Sequence, residues 1–148
     1  MKPDTDIYLA ELQRSLLTDI APRLTSAFEQ GALNRHAMLL QGVIEDFDRA
    51  AAWRIEENGA LRRLFADATS VVPASELASA LAAAAGENEP SYRVRDLDRA
   101  NGRLRGVLVR LHACVEQLGG QSARDLEQAI WRELARSVER RRTSIGRF

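Results

Sequence analysis

Few side chains in this sequence have versatile chemistry: two histidines, His36 and His112, and one cysteine, Cys114. His112 and Glu116 stand at i and i+4, so they share a helix face and could supply two metal ligands or form one hydrogen-bonded pair. A zinc or di-iron site needs three or more ligands, and neither histidine has a glutamate three residues before it. We therefore expect no metal and no cofactor, and we interpret His112 as a boundary residue that pairs with Glu116.

His36 lies near the start of a predicted helix, on the face that carries Leu40 and Phe47. A phosphate-accepting histidine is the functional alternative, but a phosphotransfer histidine is followed by a lysine and a glycine, and no lysine follows here. We interpret His36 as partly buried beside a polar partner. Cys114 has no neighbouring cysteine or local base, so we expect an ordinary thiol of low reactivity.

No motif for nucleophilic or phosphate chemistry is present. The sequence lacks Gly-x-Ser-x-Gly and Gly-x-Gly-x-x-Gly, and the Gly-Gly-Gln-Ser run at 119–122 has no lysine at phosphate-loop spacing. Carboxylate clusters such as Glu56-Glu57 alternate with arginines, as is typical of solvated helix faces. An enzyme is therefore the less favoured interpretation.

The composition is that of one folded domain, with 148 residues of which 45% are apolar. No apolar run is long enough to span a membrane, and the acidic residues near the N-terminus do not resemble a signal peptide. The one cysteine and the excess of arginine over lysine predict a cytoplasmic protein from a GC-rich bacterium. The net charge is zero, but residues 1–90 are acidic and residues 91–148 are basic, which predicts electrostatic pairing between halves or between two copies.

Apolar residues of the N-terminal half recur at spacings of three and four, which indicates helices rather than strands. The first predicted helix begins after a cap at 4–6 and ends at Gly31. Pro22 lies inside its stripe and should either kink the helix or split it near Asp19. We favour the kink because the stripe keeps its phase. The stripe consists of Leu9, Leu12, Leu16, Ile20, Leu24 and Ala27.

A second helix is predicted from a cap at Asn34. Its apolar face consists of Leu40, Val43, Ile44, Phe47, Ala51 and Ile55. The Asn58-Gly59 pair favours either a helix stop or a bent continuation, since the stripe resumes at Leu61. Pro73 then opens a short alanine-rich helix at about 74–85, and the residues at 86–91 form the clearest loop.

The segment 92–118 carries the strongest pattern, a heptad seam with one polar member. The seam consists of Val94, Leu97, Asn101, Leu104, Leu108, Leu111, Val115 and Leu118. A buried asparagine in such a seam fixes register or the number of partners. Gly102 and Gly106 lie opposite the seam among arginines, where small residues allow another helix or a flat ligand to approach closely.

The last predicted helix follows Gly119-Gly120, starts at a capping box over 122–125 and runs to about Arg142. Its apolar face consists of Leu126, Ile130, Leu134 and Val138. The whole pattern predicts an all-α, up-and-down antiparallel bundle of four to five helices in one domain, 1–148, with a basic C-terminal tail at about 140–148.

For function, we expect a non-enzymatic protein that acts by protein–protein association, as a homodimer. The interface candidates are Asn101, Gly102, Leu104, Gly106, Leu108 and Leu111. One alternative is a bundle that binds or acts on a small anionic ligand, with Arg99, Arg103, Arg110, His36 and His112 as candidates. A weaker alternative is nucleic-acid binding through the arginines from Arg136 to Arg147, which the zero net charge does not favour.

Overall fold

In the computed structural model, residues 4–89 and 91–146 are described, and their regular structure is entirely helical, which confirms the all-α bundle prediction. The α-helices within these ranges are α1 (Thr5–Ser15), α2 (Ala27–Ala68), α3 (Glu76–Gly86), α4 (Val94–Val115) and α5 (Gln121–Arg140). A short 3-10 turn, Ser144–Gly146, follows α5. No helix in these ranges is both long and apolar enough to cross a membrane.

The chain divides into two compact units. Unit 1 comprises the described residues of Met1–Ala50 and Arg142–Phe148, and unit 2 comprises Ala51–Arg141. Helix α2 contributes its first half to unit 1 and its second half to unit 2. The prediction of one domain, 1–148, stays a prediction.

The favoured kink at Pro22 is wrong, and the alternative, a split of the helix, is the correct one. Helix α1 stops at Ser15 and is followed by a π-helical turn, Leu16–Ile20, and a 3-10 turn, Ala21–Arg23. Proline has no N–H to donate, and its ring clashes with the carbonyl four residues earlier, so the α-helical hydrogen-bond ladder cannot pass this point. Leu24 then takes an extended backbone with ψ 128°, which separates α1 from α2.

Helix α2 is one continuous helix of 42 residues. The predicted end at Gly31 and the predicted cap at Asn34 are therefore wrong, while the continuation through Asn58-Gly59 is the correct one of the two alternatives. A glycine inside a helix costs only about 1 kcal/mol relative to alanine, and tertiary packing offsets this readily. Asn58 does not cap a helix end, because its side chain donates to the Leu97 carbonyl 3.3 Å away.

Unit 2 contains the main apolar core, built by α3, α4, α5 and the second half of α2. The predicted seam of α4 is confirmed from Leu97 to Val115, whereas Val94 at the first residue of the helix is exposed. The alanine-rich helix begins at Glu76, where Ser75 is the N-cap and its Oγ accepts a hydrogen bond from the Ala78 N–H. A serine rather than Pro73 therefore defines the start of α3.

Helix α5 begins before the predicted capping box. Gly120 is the N-cap, with φ 96°, a conformation that glycine adopts readily. The helix then begins at Gln121, and Ser122 lies in its first turn rather than at the cap. The predicted apolar face is also partly wrong: Val138 is exposed, whereas Glu133 and Ser137 are buried. The buried positions are Ala123, Leu126, Ile130, Glu133 and Ser137, spaced three and four apart.

Candidate functional site

The most heavily hydrogen-bonded side chain of unit 2 is Glu57, on α2, which is 1% exposed. Its Oε1 accepts hydrogen bonds from Asn101 Nδ2 at 3.0 Å and Arg105 Nε at 3.0 Å, both on α4. Arg141, directly after α5, donates from Nη2 to Oε1 at 2.8 Å. One carboxylate therefore ties α2 to α4 and to the end of α5.

The second oxygen of Glu57 is also satisfied. Ser137 Oγ donates to Oε2 at 3.0 Å, and Arg141 Nε and Nη2 lie 3.2 Å and 3.0 Å from the same oxygen. Arg105 Nη2 in turn donates to Ser137 Oγ at 2.9 Å. Two guanidinium groups and one hydroxyl thus enclose the carboxylate.

Asn101 and Asn58 extend this network into the core. Asn101 Nδ2 donates its second hydrogen to Asn58 Oδ1 at 2.9 Å, and Asn58 Nδ2 donates to the Leu97 carbonyl. At the outer edge, the guanidinium of Arg141 lies 4.7 Å from the ring centroid of Trp53, and that of Arg54 lies 4.0 Å from it. The network therefore runs from a buried amide pair to a half-buried cation–π stack.

Burial raises the pKa of Glu57, but the hydrogen bonds from Asn101, Arg141, Arg105 and Ser137 outweigh it and hold the pKa below its ordinary value. Glu57 is therefore an ionised acceptor at neutral pH. A general acid needs a raised pKa and access to a substrate. With its oxygens occupied by protein donors, Glu57 is suited to joining helices rather than to transferring protons.

Unit 1 has the opposite character, because its described helices leave most of their large apolar side chains exposed. Gln13 Nε2 donates to the Ala37 carbonyl at 2.9 Å and so joins α1 to α2. The buried apolar residues in the described part of unit 1 are two alanines, Ala37 and Ala50. The exposed large apolar residues of unit 1 are Ile7, Tyr8, Leu12, Leu17, Ile20, Phe28, Met38, Leu39, Val43 and Phe47.

The segment 142–146, which we call the C-terminal segment, belongs to unit 1. Glu45 accepts hydrogen bonds from the Ser144 hydroxyl and from the Ser144 N–H at 2.8 Å, and Arg49 Nη1 donates to the Arg142 carbonyl at 3.2 Å. A Cβ at Gly42 would stand 2.5 Å from Ile145 Cδ1, so glycine at this position permits the close approach. The predicted basic tail at 140–148 is thus partly helix and partly this segment; Arg147 lies outside the described residues.

An apolar groove of about 420 Å³ opens beside the C-terminal segment. It is lined by Gln13, Leu17, Asn34, Ala37, Met38, Gln41, Ser144 and Ile145. All of these residues belong to unit 1. Two of the lining residues, Leu17 and Met38, belong to the exposed apolar set of this unit.

The predicted interface residues fall into two groups. Asn101, Leu104, Leu108 and Leu111 are buried within unit 2, so their seam faces the chain's own core and is not a free surface. Gly102 and Gly106 are exposed, and a Cβ at either position would meet no atom within 4 Å. The register-fixing asparagine therefore has its partners inside the chain.

The structure does not gather the predicted ligand residues into one site. Arg99, Arg103 and Arg110 form ion pairs with Asp96, Glu87 and Glu76 at 3.1 Å, 3.5 Å and 3.3 Å. His36 is exposed in unit 1, so its interpretation as partly buried is wrong.

His112 lies in unit 2 at the predicted boundary position. It packs edge-on against Trp131 with ring centroids 5.1 Å apart, and its Nε2 is 3.7 Å from Glu116 Oε1. That separation is too long for the hydrogen bond that was predicted. Within residues 4–89 and 91–146, no three His, Cys, Asp or Glu side chains are grouped so that they could hold a metal ion.

Sequence reasoning missed the centre of the polar network, because Glu57 was grouped with Glu56 as part of a solvated face. A signal was present: extending the Leu61–Leu64–Ala68 stripe back by one turn places Glu57 and Asn58 on the same buried face. Arg105, four residues after Asn101, was a second signal.

No protein-family model, curated protein or solved structure matches this chain.

Proposed function

We propose that this protein acts by self-association, as a homodimer whose contact surface is the exposed apolar face of unit 1. The observation that carries the proposal is the ratio of exposed to buried apolar side chains in that unit, where two alanines are buried and ten large apolar residues are exposed. Monomeric proteins rarely expose contiguous apolar surfaces of this kind.

Two helices alone cannot bury their apolar faces, because each helix needs packing partners on more than one side. Leu39, Val43 and Phe47 recur every four residues along α2 and form a ridge that a further helix could cover. Leu12 adds exposed apolar surface on α1. Two such helix pairs would together supply the four helices of a bundle.

The charge of the chain favours a second copy of the same chain as the partner that covers the apolar face of unit 1. The chain has a net charge of zero, so two copies do not repel at long range. Residues 1–50 and 142–148 contain eight Asp and Glu against seven Lys and Arg, so unit 1 itself is nearly neutral. An isologous dimer places the same apolar patch on both sides and closes on itself, which avoids open polymerisation.

Two features of the sequence support a cytoplasmic setting in a bacterium: the single cysteine and the excess of arginine over lysine. Nucleic-acid binding through the last helix is disfavoured because Arg140 and Arg141 are already paired with Glu133 and Glu57.

The test is the mass of the protein in solution, measured by light scattering and sedimentation velocity over a wide concentration range. The wild-type chain is expected at twice its 16.5 kDa mass. Val43→Glu and Phe47→Glu should shift it to the monomer, because a charge cannot be buried unpaired in an apolar contact. Val109→Glu, at an exposed position of α4 in unit 2, is the matched control and should remain dimeric.

Circular dichroism will show whether each variant keeps its helices. A monomeric wild-type protein at the highest concentration would refute the proposal. A dimer that Val109→Glu dissociates, and Val43→Glu does not, would refute the assignment to unit 1.

A further inference from the structure

A cleft of about 240 Å³ lies between α2 and α5 in unit 2, and Glu57 is not among the residues that line it. Its apolar lining comes from Ala60, Leu64 and Ala129. Four arginines also line it: Arg63 on α2, and Arg132, Arg136 and Arg140 on α5.

One of these arginines is already neutralised. Arg140 Nη1 lies 2.6 Å from Glu133 Oε1, and its Nη2 lies 3.4 Å from Oε2, a two-point contact with a buried carboxylate. Glu133 is therefore occupied, and it does not compensate the other three arginines.

The remaining three arginines lack such partners. Arg63, Arg132 and Arg136 make no hydrogen bond or ion pair within residues 4–89 and 91–146, and Asp67 is the one other carboxylate in the lining. The unpaired charge of the cleft is thus three guanidinium groups against one carboxylate. Like charges held around one cleft repel, and an anion between them would remove that repulsion.

We propose that this cleft binds a small, multiply charged oxyanion, in particular a phosphate or pyrophosphate group. The guanidinium fork matches phosphate oxygens in two-point geometry and stays charged at any physiological pH. The volume is below the roughly 300–1,000 Å³ of pockets for drug-sized ligands, so the anion must be compact. Arg132 and Arg136 stand one helical turn apart, and Arg63 approaches from a different helix, so the donors reach the cleft from two sides.

A nucleic-acid strand is the less favourable occupant of the same cationic groups. Single strands stack their bases on aromatic side chains, and no aromatic residue lines this cleft. Duplex binding relies on an extended basic surface, whereas this chain has zero net charge and both Arg140 and Arg141 are paired with glutamates.

The test is titration of the full-length protein with sodium pyrophosphate at low ionic strength, followed by amide chemical shifts and by calorimetry. Shifts are expected in residues 60–67 of α2 and 129–136 of α5. Arg63→Gln and Arg132→Gln should each weaken binding by about tenfold, the effect of losing one charged hydrogen bond. Arg95→Gln, at an exposed position of α4 outside the cleft, is the matched control and should leave the affinity unchanged.

Three results would overturn the proposal: no shifts in these segments at millimolar pyrophosphate, an equal loss of affinity in Arg95→Gln, or tighter binding of a thymidine oligonucleotide than of pyrophosphate. Both cleft substitutions are at exposed positions, so we expect both variants to fold, and circular dichroism checks this. A second substitution in a different helix keeps the test decisive if one variant is unstable.

Discussion

Asn101 Nδ2 lies 3.0 Å from Oε1 of Glu57, so the one polar residue of the α4 seam meets a carboxylate on α2 rather than a second chain. A buried polar residue fixes register because any shift along the helix axis would leave it unsatisfied. This pair therefore sets the alignment of α4 against α2 in unit 2.

Glu57→Gln should destabilise the protein by about 2 kcal/mol, because it removes the buried charge that Arg105 and Arg141 surround. Both arginines are partly exposed and can be rehydrated, so the loss is smaller than for a fully buried pair. Urea unfolding measures this change. Glu76→Gln, which breaks an exposed pair with Arg110, is the control and should change stability by less than about 0.5 kcal/mol; equal effects of the two substitutions would contradict the prediction.

The same carboxylate predicts how stability depends on pH. The pKa of Glu57 is lower in the folded protein than its ordinary value of 4.5, so its ionisation stabilises the fold. This contribution is complete above about pH 4.5 and is lost as the pH falls through the folded-state pKa. Unfolding free energies at a series of pH values should decline more steeply below pH 4.5 for the wild type than for Glu57→Gln. Parallel curves would argue against it.

Gly102→Ala and Gly106→Ala should each stabilise the protein by about 0.5–1 kcal/mol, because both glycines are exposed in a helix interior with open space around them. For a chain of this length, 1 kcal/mol corresponds to a rise in Tm of about 2–4 °C. Differential scanning calorimetry checks the shift. A lowered Tm would mean that Gly102 and Gly106 are closely covered in solution, as the predicted interface on α4 requires.

Glu45 should hold the C-terminal segment in place down to low pH. The hydrogen bonds from the Ser144 hydroxyl, the Ser144 N–H and Gln41 lower the pKa of Glu45 to about 2. The segment is therefore bound at neutral pH and released as the pH falls through this value, since the lowered pKa favours the ionised, docked form. The Ser144 amide shift, followed by NMR, should report the titration.

Glu45→Gln should increase the hydrogen exchange of the Ser144 amide at neutral pH. Asp48→Asn, at an exposed position on the same helix, is the control and should leave that exchange unchanged. An unaffected Ser144 amide in Glu45→Gln would show that Ile145 and Arg49 suffice to hold the segment.

The helix α4 was predictable because its leucines recur with one unbroken period and dominate the core of unit 2. The continuity of α2 was not, because Gly31 and Gly59 are local stop signals of small penalty. At Gly59 this penalty is outweighed by the packing of α2 in the core of unit 2. Propensity acts within a few residues, whereas the packing that overrides it comes from elements far away in the chain.

The Glu57 site was only half predictable, for a related reason. Asn101 stood out as a polar residue among leucines. Glu57 did not stand out, because the residue directly before it, Glu56, is also a glutamate. The apolar stripe places Glu57 on the buried side, but its main partner, Arg141, approaches from 84 positions away. No local pattern encodes such a contact.

That separation of 84 positions also bears on the order of folding events. The Glu57–Arg141 contact cannot form until the chain between the two residues has been brought into place, which carries a large loop-closure entropy. We therefore expect the contact to be absent from the folding transition state, so that Glu57→Gln accelerates unfolding and leaves the refolding rate nearly unchanged. The carboxylate would then determine the lifetime of the native state, through the unfolding rate, rather than the rate of folding.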